Sequence, residues 1–334
     1  MKSGMGIPRL IIDYGIAFFL LSSLGFVLPR LLPGDPFLAI YGDEAALTMT
    51  AEMKAEIYRR LALDQSWGEQ FIAYAVSLLQ ADLGWSYFFQ APVVKVMAGF
   101  LPWTILLAGA SLLLSTVGGF VLGLESGSRK GSPWDRGFFS GLMLLGGVPD
   151  FFIGALLLLG FAVLWPLFPL SGAVTMYGSH TGWAWGMDVL HHLALPLTSL
   201  VLARMTTMYL LCRNSAVALL KVPFVRTARS KGCDETAIRY RHLGRAVLLP
   251  AATSAGLHLS HLFAGVLMIE VVFGYPGMGT LLHQALAARD YPLLQGILLL
   301  ASVTVLAVNF FIDLLYPILD PRVTTSCTSN TEKN

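Results

Sequence analysis

Residues 102–124 read PWTILLAGASLLLSTVGGFVLGL, 23 positions without a single charge. A helix of about 20 predominantly apolar residues crosses the hydrocarbon core of a bilayer. Comparable stretches lie at about 10–28, 138–168, 193–212, 255–275 and 293–317. Between them the chain is sparing with charge. Its 334 residues are 55% hydrophobic and 13% charged, with mean hydropathy +0.68, whereas an ordinary soluble domain is about 25% charged. The expected fold is an all-α membrane protein with six transmembrane helices.

The first stretch follows Lys2 and Arg9 but exceeds a secretory h-region, and it ends at Pro29-Arg30 without a small-x-small cleavage site, so an uncleaved helix is expected. The third is long for one helix, and Trp165, Pro166 and Pro169 predict a break near its outer end. The fourth contains Arg204; the fifth is interrupted by Ser260 and His261. Segment 125–137 carries Arg129, Lys130 and Arg136. Segment 213–254 carries Arg213, Lys221, Arg226, Arg229, Lys231, Arg239, Arg241 and Arg245. Loop 169–192 has no Lys or Arg, and 276–292 has only Arg289. The positive-inside rule then places both basic segments and both termini in the cytoplasm. Cys212, Cys233 and Cys327 show neither CxxC nor metal spacing, so reduced thiols are expected.

The outer segment, about 30–101, suits a small cap on the membrane. Thr50 can cap a helix carrying Met53, Ile57 and Leu61 on one face, and Trp67, Phe71, Ala75 and Leu78 form a second amphipathic face. On the cytoplasmic side, Val222–Pro250 reads VPFVRTARSKGCDETAIRYRHLGRAVLLP. Pro223 fits a first helical turn, Gly232 a left-handed stop, and Asp234 the cap of a second helix from Glu235 towards Leu249. A protruding helix-turn-helix of this kind can dock into another protein. Its arginines can equally meet anionic lipid headgroups.

The segment Phe224-Val225-Arg226-Thr227-Ala228-Arg229-Ser230-Lys231-Gly232 resembles the coupling loop of type I ABC importer permeases of the dipeptide/oligopeptide/nickel, binding-protein-dependent family. Leu32-Pro33-Gly34-Asp35-Pro36, Leu63-Asp64-Gln65, Asp82-Leu83-Gly84-Trp85-Ser86, Leu101-Pro102-Trp103-Thr104, Glu270 to Gly279, Arg289-Asp290-Tyr291-Pro292 and Asp320-Pro321-Arg322 match in order along the chain. Cys233 departs from the family, which usually has an aliphatic residue there. The resemblance implies a first helix with its outer segment (1–94), a permease domain (95–320) containing coupling loop 213–254, and a polar cytoplasmic tail (321–334). It further implies a heterodimer with a homologous permease, two cytoplasmic ATPase subunits, an external binding protein that delivers peptide or nickel, and a bacterial inner membrane. Ala228, Arg229, Lys231 and Gly232 become the ATPase-coupling residues.

No G-x-x-x-x-G-K-[ST] is present, so ATP and Mg belong to the partner ATPases and this chain carries no cofactor of its own; Gly127-Ser128-Arg129-Lys130-Gly131 reads as a turn. Neither HExxH nor Gly-x-Ser-x-Gly occurs, which argues against an intramembrane hydrolase, and a net charge of +2 gives no sign of nucleic-acid binding. A channel or secondary transporter without an ATPase remains the competing class. Arg204 and Glu270 are expected near the pathway or gate. The alternatives are pairing of Arg204 with Asp150, Asp188 or Glu270, and contact of Glu270 with interfacial water. His258 and His261, at i and i+3, could share a metal, but Glu270 lies around the far side of the helix, so no three-ligand site is expected there.

Overall fold

The computed structural model describes residues 7–31, 37, 48–60, 64–176, 181–260 and 262–319. Leu32–Pro36, Leu63, His180, His261, the tail 321–334 and the side chain of His258 lie outside that description. Contacts divide the chain into two compact units.

The first unit draws on Met1–Pro102 and Gly277–Phe310. Helix α1 (Ile7–Leu31) sets Tyr14 edge-on against Phe310 and Phe26 against Phe71 and Tyr74. Helix α2 (Ala51–Arg60) starts where Met53 N–H donates to the Thr50 hydroxyl, as its sequence predicts. Helix α3 (Trp67–Leu79) is opened by a reciprocal box in which Ser66 accepts from the Glu69 amide and the Ser66 amide donates to Glu69 Oε2. That bond holds the exposed Glu69 carboxyl below its ordinary range. A two-residue-per-strand hairpin, β1 (Trp85–Ser86) with β2 (Ala91–Pro92), leads into α4 (Val93–Ser128).

The second unit draws on Trp103–Pro276 and Phe311–Ser326. After α4 come α5 (Pro133–Gly146) and α6 (Asp150–Leu158), the latter extended by a π-turn over Leu159–Leu164. Ser132 caps α5 through the Asp135 amide, with Pro133 at the first position. Next are α7 (Trp183–Leu219), α8 (Pro223–Ser230) and α9 (Glu235–Ala237), then a π-turn over Ile238–Leu243, α10 (Gly244–Ser260) and α11 (Leu262–Val272). Helices α12 (Met278–Ala287) and α13 (Tyr291–Leu319) close the order along the chain, α12 and the part of α13 up to Phe310 belonging to the first unit.

Among the described residues the regular structure is helical apart from the small hairpin. Among the described residues, Leu10–Leu31, Val93–Ser128, Trp183–Leu219 and Tyr291–Leu314 are long and apolar enough to span a membrane. The third expected span is different. Instead of one helix over 138–168, α5 and the α6 segment to Leu164 meet at a 99° bend. Pro149 has no N–H to continue α5, and Gly146 sits so close to α7 that an added Cβ would be 2.7 Å from Thr206. The outer end does stop at Trp165, ahead of Pro166, as expected.

Close approach of α4 to α7 organises this unit. At Gly123 an added Cβ would lie 2.6 Å from the Tyr209 carbonyl oxygen, and Gly119 and Gly127 repeat the approach one turn either side. Only glycine lets two backbones come so near. Two apolar clusters fill the unit. One gathers Leu107, Leu200, Val266, Ile269 and Phe273; the other gathers Leu124, Met208, Cys212, Val225, Ile238 and Leu243.

Candidate functional site

The second cluster is the base of the helix-turn-helix. In α8, Val225 and Ala228 are three residues apart and both point into that cluster, while Arg226, Arg229 and Ser230 face outward. Gly232 has φ +76°, and the Cys233 amide donates to the Ala228 carbonyl while the Gly232 amide donates to that of Arg229. Together these make a Schellman stop, with Cys233 and Ala228 as its apolar contact. Asp234 then caps the next turn by accepting from the Thr236 amide. The tip is closed by Arg229, whose Nε donates to Glu235 at 2.9 Å.

The second arm of this knob does not end near Leu249. It passes through the π-turn and runs on as α10 to Ser260 through Pro250. Of the four residues singled out, Arg229, Lys231 and Gly232 are exposed at the tip. Ala228 is only 5% exposed and packs inside its own chain.

The stem is locked by two ion pairs that composition alone did not reveal. Asp135 accepts from Arg213 Nε at 2.7 Å and Nη2 at 2.8 Å, from the Gly131 amide at 2.8 Å and from the Ser126 hydroxyl, which also meets Tyr209. Glu125 accepts from Arg239 Nη1 at 2.9 Å and Tyr240 Oη at 2.6 Å, and Arg239 Nε donates to Ser128. Donation to Glu125 raises the Tyr240 phenol above its ordinary value. Gly131, at φ +85°, turns the chain between the two acids; of the stretch 127–131 read as a turn, 129–131 form one, while Gly127 and Ser128 are the last residues of α4. The Arg213–Asp135 pair is bidentate and nearly dry, whereas Arg239 gives Glu125 a single bond in a partly buried setting; pairs so enclosed fix geometry where exposed pairs do not. The signal was present in the sequence: Glu125 and Asp135 flank the basic turn that the Lys and Arg count used for orientation.

At the other cluster, Glu270 is fully buried and accepts from the Thr104 hydroxyl at 2.6 Å. Contact with interfacial water is therefore not its role in this structure. Trp103 lies edge-on to Tyr275 at 6.0 Å, and Gly274, at φ +53°, ends α11 with the Tyr275 amide donating to the Glu270 carbonyl. Motifs 166 residues apart thus close one joint. In the first unit, Asp290 does the same for 82–86 and 289–292: it is fully buried and accepts from Ser86 Oγ at 2.5 Å, the Phe88 amide and the Leu293 amide.

Arg204 interacts electrostatically with Asp150, one of its three expected partners. His191 and His192 bond the Leu167 and Asp188 carbonyls. Cys212 and Cys233 are free thiols. Among the described residues no group of three or more His, Cys, Asp or Glu is placed to hold a metal ion.

The model of the binding-protein-dependent transport system inner membrane component family matches residues 115–325, a stretch holding the knob, its stem and Glu270. The chain belongs to that family. Its relatives include a Brucella abortus (strain 2308) protein named as a peptide transport system permease, 35% identical over 90% of this chain and 92% of its own. The di/tripeptide transport system permease protein DppB of Pseudomonas aeruginosa (strain UCBPP-PA14) is 31% identical over 92% of this chain and 94% of its own. The dipeptide transport system permease protein DppB of Escherichia coli (strain K12) is 30% identical over 91% and 98%. This is a membrane component of a transport system, a permease, and its spans belong in the inner membrane.

Proposed function

We propose that this permease is one half of the translocation path of an ATP-driven peptide importer, paired with a homologous permease. An external binding protein delivers peptide, and two cytoplasmic ATPase subunits, which hold ATP and Mg, engage the knob. The observation that carries the reading is the exposed, preshaped tip at Arg229, Lys231 and Gly232 on a stem tied to α4, α5 and α7. A docked partner can move the spans only through a stem that does not bend, and this one is clamped by partly buried ion pairs.

Lipid binding is the weaker reading of the same loop, because three of its eight cations are engaged within the chain: Arg213 and Arg239 inward, Arg229 by Glu235. The orientation that goes with coupling puts the knob and both termini in the cytoplasm, following the loop charges. Peptide is assigned over nickel because the relatives carry peptide in their names.

The test is Gly232→Trp in the full transporter reconstituted in proteoliposomes. A bulky side chain at φ +76° distorts the tip, and the expected loss of ATP-dependent dipeptide uptake is about tenfold or more, with membrane insertion unchanged. Unchanged uptake would overturn the coupling role. Uptake that needs neither ATP nor ATPase would instead make the chain a secondary transporter or channel.

A further inference from the structure

In the first unit, a cavity of about 190 Å³ opens beside the end of α1, between α3 and the start of α13. Its polar lining is unbalanced. The Arg30 guanidinium uses Nε and Nη2 on Gln70 Oε1 and Nη1 on the Phe26 carbonyl, and it stacks over the Phe26 ring at 3.6 Å. Five N–H groups are available to a guanidinium, so two hydrogens remain unspent. Two further donors line the same cavity and are buried without any acceptor: the Tyr74 hydroxyl and the Gln295 side-chain amide. Burial holds the Tyr74 phenol above its ordinary value, so the hydroxyl keeps its proton. Tyr87, also on the wall, is pushed up to about 12 by burial and stays neutral too.

Asp82 is the one described carboxylate on the wall; it is exposed, and its Oδ1 accepts from the Gly84 amide. Leaving buried donors unpaired is unfavourable, and native proteins rarely do so unless a water or ligand completes the set. A cation with surplus hydrogens and two orphaned neutral donors around one small cavity is the complement of an acceptor-only, negatively charged group. Tyrosine rings and Leu78, Leu83 and Leu299 supply an apolar wall for whatever carries it.

We propose that this cavity binds an oxyanion, a carboxylate or phosphate group, held by Arg30, Tyr74 and Gln295. The group could come from a free solute or from a phospholipid headgroup, and the two sources are separable. The full-length protein, purified in detergent and exchanged free of added anions, is titrated with acetate and with inorganic phosphate by equilibrium dialysis. A parallel sample is examined for retained phospholipid by native mass spectrometry.

Binding of either free anion that falls about tenfold in Tyr74→Phe, and is abolished in Arg30→Gln, supports a solute site. Phospholipid retained by the unaltered protein but lost from Tyr74→Phe supports the headgroup source. Tyr74→Phe deletes a single orphaned hydroxyl, so it should fold at least as well as the parent and keeps the test valid if Arg30→Gln does not fold. Neither free anion bound nor lipid retained, or retention identical in parent and Tyr74→Phe, overturns the proposal.

Discussion

Asp135 accepts four hydrogen bonds, two of them from the fork of Arg213, and its side chain is 3% exposed against 13% for its partner. Such a pair is not a large source of net stability when compared with apolar replacements, but half of one is costly, because the remaining charge stays buried alone. Asp135→Ala should lower stability by about 3–5 kcal/mol in denaturant unfolding of the purified protein. Glu235→Ala removes the partner of Arg229 at a site where both side chains are more than half exposed, and should change stability by less than about 1 kcal/mol. An equal effect of the two substitutions would remove the distinction between stem and tip. Reading the sequence could place these charges on loops but could not rank them, since burial of Arg213 and Arg239 depends on acids 78 and 114 residues away. The exposed tip residues were legible for the opposite reason: their chemistry is local.

At the scale of elements, what could be read was what is decided within one or two turns. Pro223 at a first turn, the left-handed Gly232, the Asp234 cap and the Thr50 start all stand where their residue types direct. The 99° bend between α5 and α6 was not legible, because it needs Gly146 to meet Thr206 on another helix as well as Pro149 to interrupt the ladder. Ala228 illustrates the same limit. Its place in the motif suggested an outward role, whereas the three-residue spacing from Val225 turns it into the core. The α4–α7 contact offers a sharp test within one helix. Gly123→Ala sets a methyl 2.6 Å from a backbone oxygen, so the helices must separate, at about 1–3 kcal/mol. Gly109→Ala, also in α4, meets nothing within 4 Å and should leave stability unchanged or raise it by up to about 1 kcal/mol. Thermal unfolding in one detergent should order them Gly109→Ala, parent, Gly123→Ala; reversal of the outer two would mean that α4 and α7 do not pack so closely.

Across the whole molecule, motifs that carry the family resemblance prove to be joints as much as surfaces: Ser86 with Asp290 closes one in the first unit, and Thr104 with Glu270 closes another in the second. Outside those motifs, Glu125 with Arg239 ties the knob to α4. A joint and a docking surface fail differently, and this separates their roles in the proposed importer. Glu125→Gln keeps the tip residues untouched but weakens the hold on Arg239, which is 10% exposed and would be left poorly paired. ATPase subunits should still bind and turn over, while less of their motion reaches the spans. The expected outcome is ATP hydrolysis by the assembled transporter within about twofold of the parent and peptide uptake per ATP several-fold lower, a loss of coupling free energy rather than of binding. Distortion of the tip by Gly232→Trp should lower both hydrolysis stimulated by delivered peptide and uptake, because engagement itself fails. Hydrolysis and uptake measured in the same proteoliposomes give the ratio directly. A ratio for Glu125→Gln equal to that of the parent would show that the joint transmits no motion and that the knob acts on the spans through α10 alone.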